Sequence, residues 1–338
     1  MAGWHVRCYL SARMVSYQAA VRLAADAVGG LDRHDVVAHL QRTFTSPSYQ
    51  PPMLPEVALQ VMQLSQRPDV RFEEVVALLQ KDAVLAARVL SIAQSSAYAA
   101  RSPIQTLHQA SVRLGLKAMR DVVLEAAMHM KVFRVPGYEP AMERLARHSA
   151  AVAHVMRSVC RRTNVEAEYA FLCGLLHDVG FAASLLALSN DPTWRQASFE
   201  ELAPVLDEVH EEASGVLARL WKLPENIQRM VATHHEPAPN GKVEPVNATL
   251  IVAEQLCWEA GAGLEPPPPD ANPFTMETPE PPSDGVDVNW TGLVDEARKV
   301  LRVDDLTMAA ARAEAFQLVG QLSGAPAAPP PRRPVARA

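Results

Sequence analysis

The chain has 338 residues, a formal charge of −6 and a pI near 6.0, and it is 49% hydrophobic but only 6% aromatic. Those values suit a helical protein rich in Leu, Ala and Val, long enough for two subdomains around a sizeable core. They exclude bulk electrostatic attraction to nucleic acid or to an anionic membrane, and no dense Lys/Arg cluster supplies a local basic face instead.

The first residues, MAGWHVRCYLSARMVS, lack a continuous apolar stretch and make a poor signal peptide, so Met14 competes with Met1 as the start. Residues 16–44 place apolar side chains at steps of three and four, with a break at Gly29 and Gly30, and predict helix. Residues 1–46 thus read as a partly helical extension. Pro47, Pro51, Pro52 and Pro55 then mark a linker and the start of the main unit. Residues 55–130 predict short helices: EVALQVMQL; RFEEVVALLQKD, with Asp69 as its cap; AVLAARVLSIAQSSA, apolar enough to be buried; and two more divided at Gly115. No sustained alternation of period two occurs there, which argues against sheet.

Residues 139–190 predict two long helices, 201–235 two more, and 245–261 another. The acidic, Pro-rich stretch of about residues 262–290 has little to bury and reads as a flexible insertion. A helical region at 291–322 and a disordered Pro/Ala/Arg tail at 323–338 complete the chain. Cys8, Cys160, Cys173 and Cys257 form no CxxC pair, and Cys173 reads as a buried thiol. A reduced, cytoplasmic setting fits. No apolar run is expected to reach the roughly 18–20 residues of a membrane span.

The chemistry-bearing pattern begins at FLCGLLHDVG, residues 171–180. Neighbours on a helix diverge by about 100°, but at a helix end His177 and Asp178 can approach one ion. An imidazole and a carboxylate suit Zn, Mn, Fe, Co or Ni. His148 lies one predicted helix earlier. His210 is read as the start of a later helix, His234 and His235 as the end of the next, and Glu254 sits alone in the apolar LIVAEQL. A carboxylate in such a stretch is costly unless paired or coordinated. Five helices thus each offer a ligand-type residue, the way helical bundles build metal sites. Each position also has a plain reading. His148 could lie on the surface, His210 with Glu211 and Glu212 could form a solvated first turn, the His234–His235 pair could cap a helix, and Glu254 could pair with an arginine. His34, His39, His108, His129 and His154 have no comparable company.

This order of histidines and acids resembles the HD superfamily of helical metal-dependent phosphohydrolases, and more closely its regulatory relative, the HDOD domain. The similarity covers roughly residues 50–260. It rests on LPEVALQVMQL, LLQKDAVLAARVLSIAQSSAY and IQTLHQASVRLGLKAMRDVVL in the first part. RHSAAVA, AFLCGLLHDVG, HEEASGVLARLWKLPENI and ATHHEP carry it in the second. The resemblance implies an all-α fold over 47–261, with an N-terminal helical subdomain (47–130) packed on an HD-type helical core (131–261). It also implies bacterial signalling work.

Compared with the HD-GYP phosphodiesterases, the chain keeps His148, His177, Asp178, His210, His234 and His235 as candidate metal ligands, with Glu254 where that branch has Asp. Phe181 replaces the lysine of HDxGK that would meet substrate phosphate, and Arg144 replaces an acid one turn before the first histidine. No GYP-type motif follows HHEP. The leading expectation is a regulatory module acting through a signalling protein partner, with one or two retained divalent ions. The alternative is a metal-dependent phosphodiesterase or phosphohydrolase on a cyclic dinucleotide messenger, with Asp178 bridging two ions. Nucleic acid and membrane are not expected partners. The extension, the acidic insertion and the PPPRRPVARA tail are the candidate contact segments.

Overall fold

In the computed structural model the described residues are 33–65, 67, 69–95, 98, 103–165, 169–264 and 290–322. The expectations for residues 1–32, 265–289 and 323–338, including Cys8, Met14 and the proposed contact segments there, lie outside them. Among the described residues there is no strand.

Helix α1 (Arg33–Thr45) buries Val36 and Leu40, one turn apart, and its Arg33 bonds Glu208 far along the chain. The proline linker is pinned where the Trp221 indole donates to the Pro52 carbonyl (3.0 Å). The N-terminal subdomain follows as α2 (Glu56–Leu64), α3 (Phe72–Leu79), α4 (Ala83–Ala93) and α5 (Leu107–Ala127). Helix α4 starts where the Asp82 carboxylate accepts the Val84 and Leu85 amides, and α5 where the Thr106 hydroxyl accepts that of Gln109. Gly115, at φ +78°, kinks α5 where the sequence divides it.

Two expectations here need correction. Asp69 caps nothing in α3; it pairs with Arg67, while the Glu74 carboxylate accepts the Arg71 amide. Helix α4 is not buried all round. Leu85, Val89 and Ile92 face α5 as one stripe, while Val84 is 68% exposed. Fully buried Leu79 and Leu85 contribute about 1.5–3 kcal/mol each.

A π-helical turn, Met128–Val132, leads from α5 towards the core helices. These are α6 (Glu139–Cys160), α7 (Ala170–Leu176), α8 (Val179–Ser189), α9 (Phe199–Leu220), α10 (Glu225–Ala232) and α11 (Pro245–Glu259). The C-terminal pair α12 (Trp290–Leu301) and α13 (Asp305–Leu322) packs back on α11 and α6. Helix α6 is central and contacts α7, α11 and α13.

The second long helix expected over 139–190 is in fact two, because the chain breaks at His177–Asp178. The Ala170–Ser189 run is apolar and long enough for a membrane span, contrary to expectation, but 94% of it is buried inside the fold. Cys173 is buried, and burial pushes its thiol pKa up. Arg120, Asp121, Glu125 and His154 form a separate buried polar group joining α5 to α6, with Arg157 reaching Asp121 from the edge.

Candidate metal centre

The break between α7 and α8 solves the geometric problem of adjacent His and Asp. The Phe181 amide donates to the Asp178 carbonyl rather than continuing the helical ladder. The His177 carbonyl accepts the Ser214 hydroxyl of α9 (2.6 Å), and the Gly180 amide donates to the same Ser214 oxygen (2.8 Å). The His177 and Asp178 carbonyls and the Gly180 and Phe181 amides are thereby paired at the break. Both side chains turn to the same side, towards α6, α9 and α11.

The structure brings all seven predicted residues together. His148 comes from α6, His177 and Asp178 from the break, His210 from α9, His234 and His235 from the segment after α10, and Glu254 from α11. His210 does not start a helix as expected. It lies well inside α9, whose start is set by a capping box between Ser198 and Glu201. His148, His177, Asp178 and Glu254 are fully buried, His210 and His234 are 1% exposed, and His235, at the edge, is 9% exposed.

Asp178 sits at the centre. Its Oδ2 lies 3.1 Å from His177 Nε2 and 3.4 Å from His148 Nε2, and its Oδ1 lies 3.6 Å from Nε2 of both His210 and His234. Glu254 spans the same gap, with Oε1 3.2 Å from His177 Nε2 and Oε2 3.3 Å from His235 Nε2. Two groups result: His148, His177, Asp178 and Glu254, and beside them His210, His234 and His235. Within each, the donor atoms lie within 4.8 Å of one another. Ligands about 2.1 Å from one ion are about 3.0–3.4 Å apart along the edges of an octahedron or tetrahedron. Several of these separations match that spacing.

The hydrogen bonds fix the tautomers. His148, His177, His210 and His234 place Nδ1 at the carbonyls of Ala262 (2.8 Å), Gly174 (2.8 Å), Asp207 (2.5 Å) and Val231 (2.9 Å). A carbonyl only accepts, so each Nδ1 donates and each neutral ring presents a lone pair at Nε2. Yet Nε2 of His148 and His177 are 3.2 Å apart, and so are Nε2 of His210 and His234. Facing lone pairs repel at that distance, so each pair requires a positive charge between them, a proton or a metal ion. The donor set, its tautomers and its pairing therefore fit divalent metal.

The electrostatics agree. Burial disfavours a charged His177, but the Asp178 and Glu254 carboxylates outweigh it and push its pKa up to about 10. Burial likewise opposes ionisation of Asp178, yet His177, His148 and His234 hold its carboxyl well below the usual range. His210 goes the other way: burial, together with the neighbouring histidines, pushes it down to about 3. Glu211 is held below its ordinary value despite burial, by His235, His234 and His210, and it accepts the His235 amide (2.9 Å).

Glu211 is a supporting residue, not a solvated first-turn acid. Asn247 is another, donating to the carbonyls of Thr233 (2.6 Å) and Glu236 (3.0 Å) and so clamping the His234–His235 segment. At α11's end Gly261, at φ +79°, forms a Schellman turn that brings the Ala262 carbonyl to His148.

Gly180 sets how closely α8 approaches α9. A Cβ there would lie 2.0 Å from the His210 carbonyl oxygen and 2.7 Å from the Ser214 amide, both backbone atoms that cannot swing aside. Gly180→Ala is expected to destabilise the fold by about 3 kcal/mol, the upper end of overpacking costs, because His210 must move with its backbone. Denaturant titration checks this; an unchanged midpoint would contradict the packing described here.

Phe181 is buried and stacks on His210, with ring centroids 4.7 Å apart at 27°. Arg144 turns away, its guanidinium over Phe199 and 3.7 Å from Glu200. Trp290 approaches the exposed edge of His235, 6.1 Å between ring centroids, and donates its indole hydrogen to Gln255. A surface groove of about 760 Å³, lined by residues including Arg88, His129, Phe133 and Arg134, contains none of the seven.

A helical core that gathers histidines and carboxylates from α6, the α7–α8 break, α9, α10's end and α11 defines a protein of the HD superfamily. The HDOD domain model matches residues 52–237, more than half of the chain, and the chain belongs to that family. A curated relative, an uncharacterized protein of Treponema pallidum (strain Nichols), is 22% identical over 213 residues; that match covers 60% of this chain and 41% of the relative. The chain thus spans less than half the length of that relative.

Among solved structures, a candidate metal-dependent phosphohydrolase from Shewanella amazonensis SB2B aligns with a TM-score of 0.64 at 17% identity, over 86% of this chain and 98% of its own. An HDOD domain protein of unknown function from Geobacter sulfurreducens gives 0.55 at 23% identity, over 85% and 99%. A candidate signal transduction protein from Marinobacter aquaeolei VT8 gives 0.60 at 19%, over 89% and 67%. At these identities the likenesses establish the fold.

Proposed function

We propose that this chain is a regulatory module of bacterial signal transduction that acts through contact with a protein partner, and that its core keeps a two-ion metal centre for structural or sensory use. His148, His177, Asp178 and Glu254 would hold one ion. His210, His234 and His235, with the second oxygens of Asp178 and Glu254, would hold the other. The observation that carries the reading is the contrast between a full donor set and the residue beside it. Phe181 lies buried on the His210 ring where HD-type catalysis relies on a lysine.

A bound divalent ion supplies Lewis acidity and a coordinated water of near-neutral pKa. Turnover on a phosphodiester also needs charge for the non-bridging oxygens, and Phe181 offers none. Loss of such a contact costs about 2–4 kcal/mol of transition-state stabilisation. The burial of the seven side chains further supports a centre that is not open to a dinucleotide-sized molecule. The alternative is a metal-dependent phosphohydrolase acting on a nucleotide messenger; the name of the Shewanella amazonensis neighbour matches the reaction class only.

One experiment separates the two. Elemental analysis of purified protein is expected to find bound divalent metal, and a His177→Ala/Asp178→Ala variant is expected to lack it. Protein loaded with Mn or Fe is then offered cyclic dinucleotides. Product formation no faster than the metal-only control supports the regulatory reading, and turnover abolished in the double variant overturns it.

A further inference from the structure

The surface groove that contains none of the seven clustered residues runs between the two subdomains. Helix α4 lines it with Val84, Ala87, Arg88 and Ser91, and α6 with Glu139, Met142, Glu143 and Ala146. Both sets recur at i, i+3, i+4 and i+7, the spacing with which a helix presents one face to another helix. Between the two walls lie residues of the π-helical turn and the segment after it, among them His129, Met130 and Phe133. The Phe133 amide donates to the Met128 carbonyl (3.0 Å), and Arg134 Nε to the His129 carbonyl (3.4 Å). π-helical turns are rare and recur at functional sites.

Helix α4 has two faces. Leu85, Val89 and Ile92 are buried, whereas Val84, Ala87, Arg88 and Ser91 are all exposed along the groove. On the α6 side Met142 and Ala146 are buried, with Glu139 and Glu143 exposed beside them. One wall is thus basic and the other acidic, over an apolar base. Among the described residues, neither Arg88 nor Glu143 has an ion-pair partner.

We infer that this groove is the docking site for an amphipathic helix of the protein partner, laid between α4 and α6. The inference rests on the regulatory reading above and gives the partner contact its place and chemistry. The apolar stripe of the docked helix meets Val84, Ala87, Met142 and Ala146. Acids along one flank face Arg88, and Lys or Arg along the other face Glu139 and Glu143. Each wall stripe is about 10 Å long, at about 1.5 Å per residue, so it grips two to three turns of the partner. Walls of opposite sign also set the direction of the docked helix, because turning it end for end would put acid against acid. The same glutamates would repel the phosphates of a nucleotide. Residues 265–289 hold no Lys or Arg to meet them.

The test uses the full chain and three synthetic helical peptides of about 18 residues, each with Leu at steps of three and four. One peptide carries Glu along one flank and Lys along the other; the two controls carry only Glu or only Lys. Fluorescence anisotropy is expected to show the mixed peptide binding about tenfold more tightly than either control. Val84→Glu puts a charge into the apolar stripe, at a first-turn position of α4 where an acid suits the helix dipole. It is expected to weaken binding about tenfold or more with the circular dichroism unchanged. Arg88→Glu makes both walls acidic and is expected to weaken the mixed peptide about fivefold while strengthening the Lys-only control.

A mixed peptide that binds no better than the controls, or binding indifferent to Val84→Glu, overturns the inference. Dimerisation of the chain that Val84→Glu abolishes also overturns it, since the occupant is then a second copy. A photo-crosslinker in place of Val84 that joins residues 1–32 of the same chain does likewise. None of these readouts depends on metal or turnover. Catalysis by the metal centre would therefore overturn the regulatory reading without altering peptide binding, and failure of the groove would leave that reading to another surface.

Discussion

Asp178→Asn is expected to lower divalent-metal affinity by more than a hundredfold and to leave the purified protein essentially metal-free, with its helical content intact. The substitution keeps size and shape, so packing at the α7–α8 break is preserved. What goes is the negative charge that faces Nε2 of His177, His148, His210 and His234 at 3.1–3.6 Å. Changes to residues that only orient ligands cost about 10–100-fold in affinity, and a carboxylate facing both donor groups should exceed that. The metal-free variant should also be less stable than metal-free wild type. In wild type the carboxylate balances a protonated His177, and leaving a buried charge without its counter-charge costs about 3–5 kcal/mol. Elemental analysis and denaturant titration read the two effects separately. Full metal content in Asp178→Asn would show that the carboxylate is not the element joining the two donor groups.

The cluster was legible because its members are conspicuous in the sequence. Glu254 in LIVAEQL and His177–Asp178 after FLCGLL are polar groups in apolar helices, which demand a compensating partner. The fold supplies that partner by convergence, and all seven named positions meet. The all-helical class was equally legible from apolar spacing, as was the division of α5 at Gly115, since a positive φ interrupts a helix.

What escaped was set by partners distant in sequence. The α7–α8 break depends on Ser214, 37 residues from the His177 carbonyl that it bonds, and a continuous apolar run carries no mark of it. That same continuity is why Ala170–Ser189 also passes for a membrane span in length and composition. Glu211 looked like a first-turn acid because His210 was taken for a helix start. Yet Ser198 followed by Glu201 is a start signal that lay in the sequence, and it sets α9 running well before His210. Helix α4 shows the limit of composition alone: its alanine-rich apolar character suggested burial all round, while Leu85, Val89, Ile92 and Ala93 are buried and Val84 stands in solvent.

The pH dependence of metal uptake follows from the same balance of charges, and its sign can be fixed. In the metal-free protein His177 has its pKa pushed up to about 10, because nearby carboxylates outweigh the effect of burial. It therefore holds a proton across the neutral range, at the Nε2 that a metal would need. Binding an ion displaces that proton, so affinity should climb about tenfold per pH unit, roughly a hundredfold between about pH 6 and pH 8, and flatten above about pH 10.

Stability of the metal-free chain should run the opposite way. The folded pKa of His177 lies above its ordinary 6.5, so its contribution is complete below about pH 6.5 and is lost as pH rises through about 10. Raising pH thus weakens the metal-free fold at this group while strengthening metal binding, and the stabilisation gained on adding metal should widen steadily with pH. Thermal unfolding with and without zinc, from about pH 6 to pH 9, measures that gap. A gap that stays constant would mean that no proton leaves the cluster when an ion enters, and the assignment of His177 as both proton holder and ligand would be wrong.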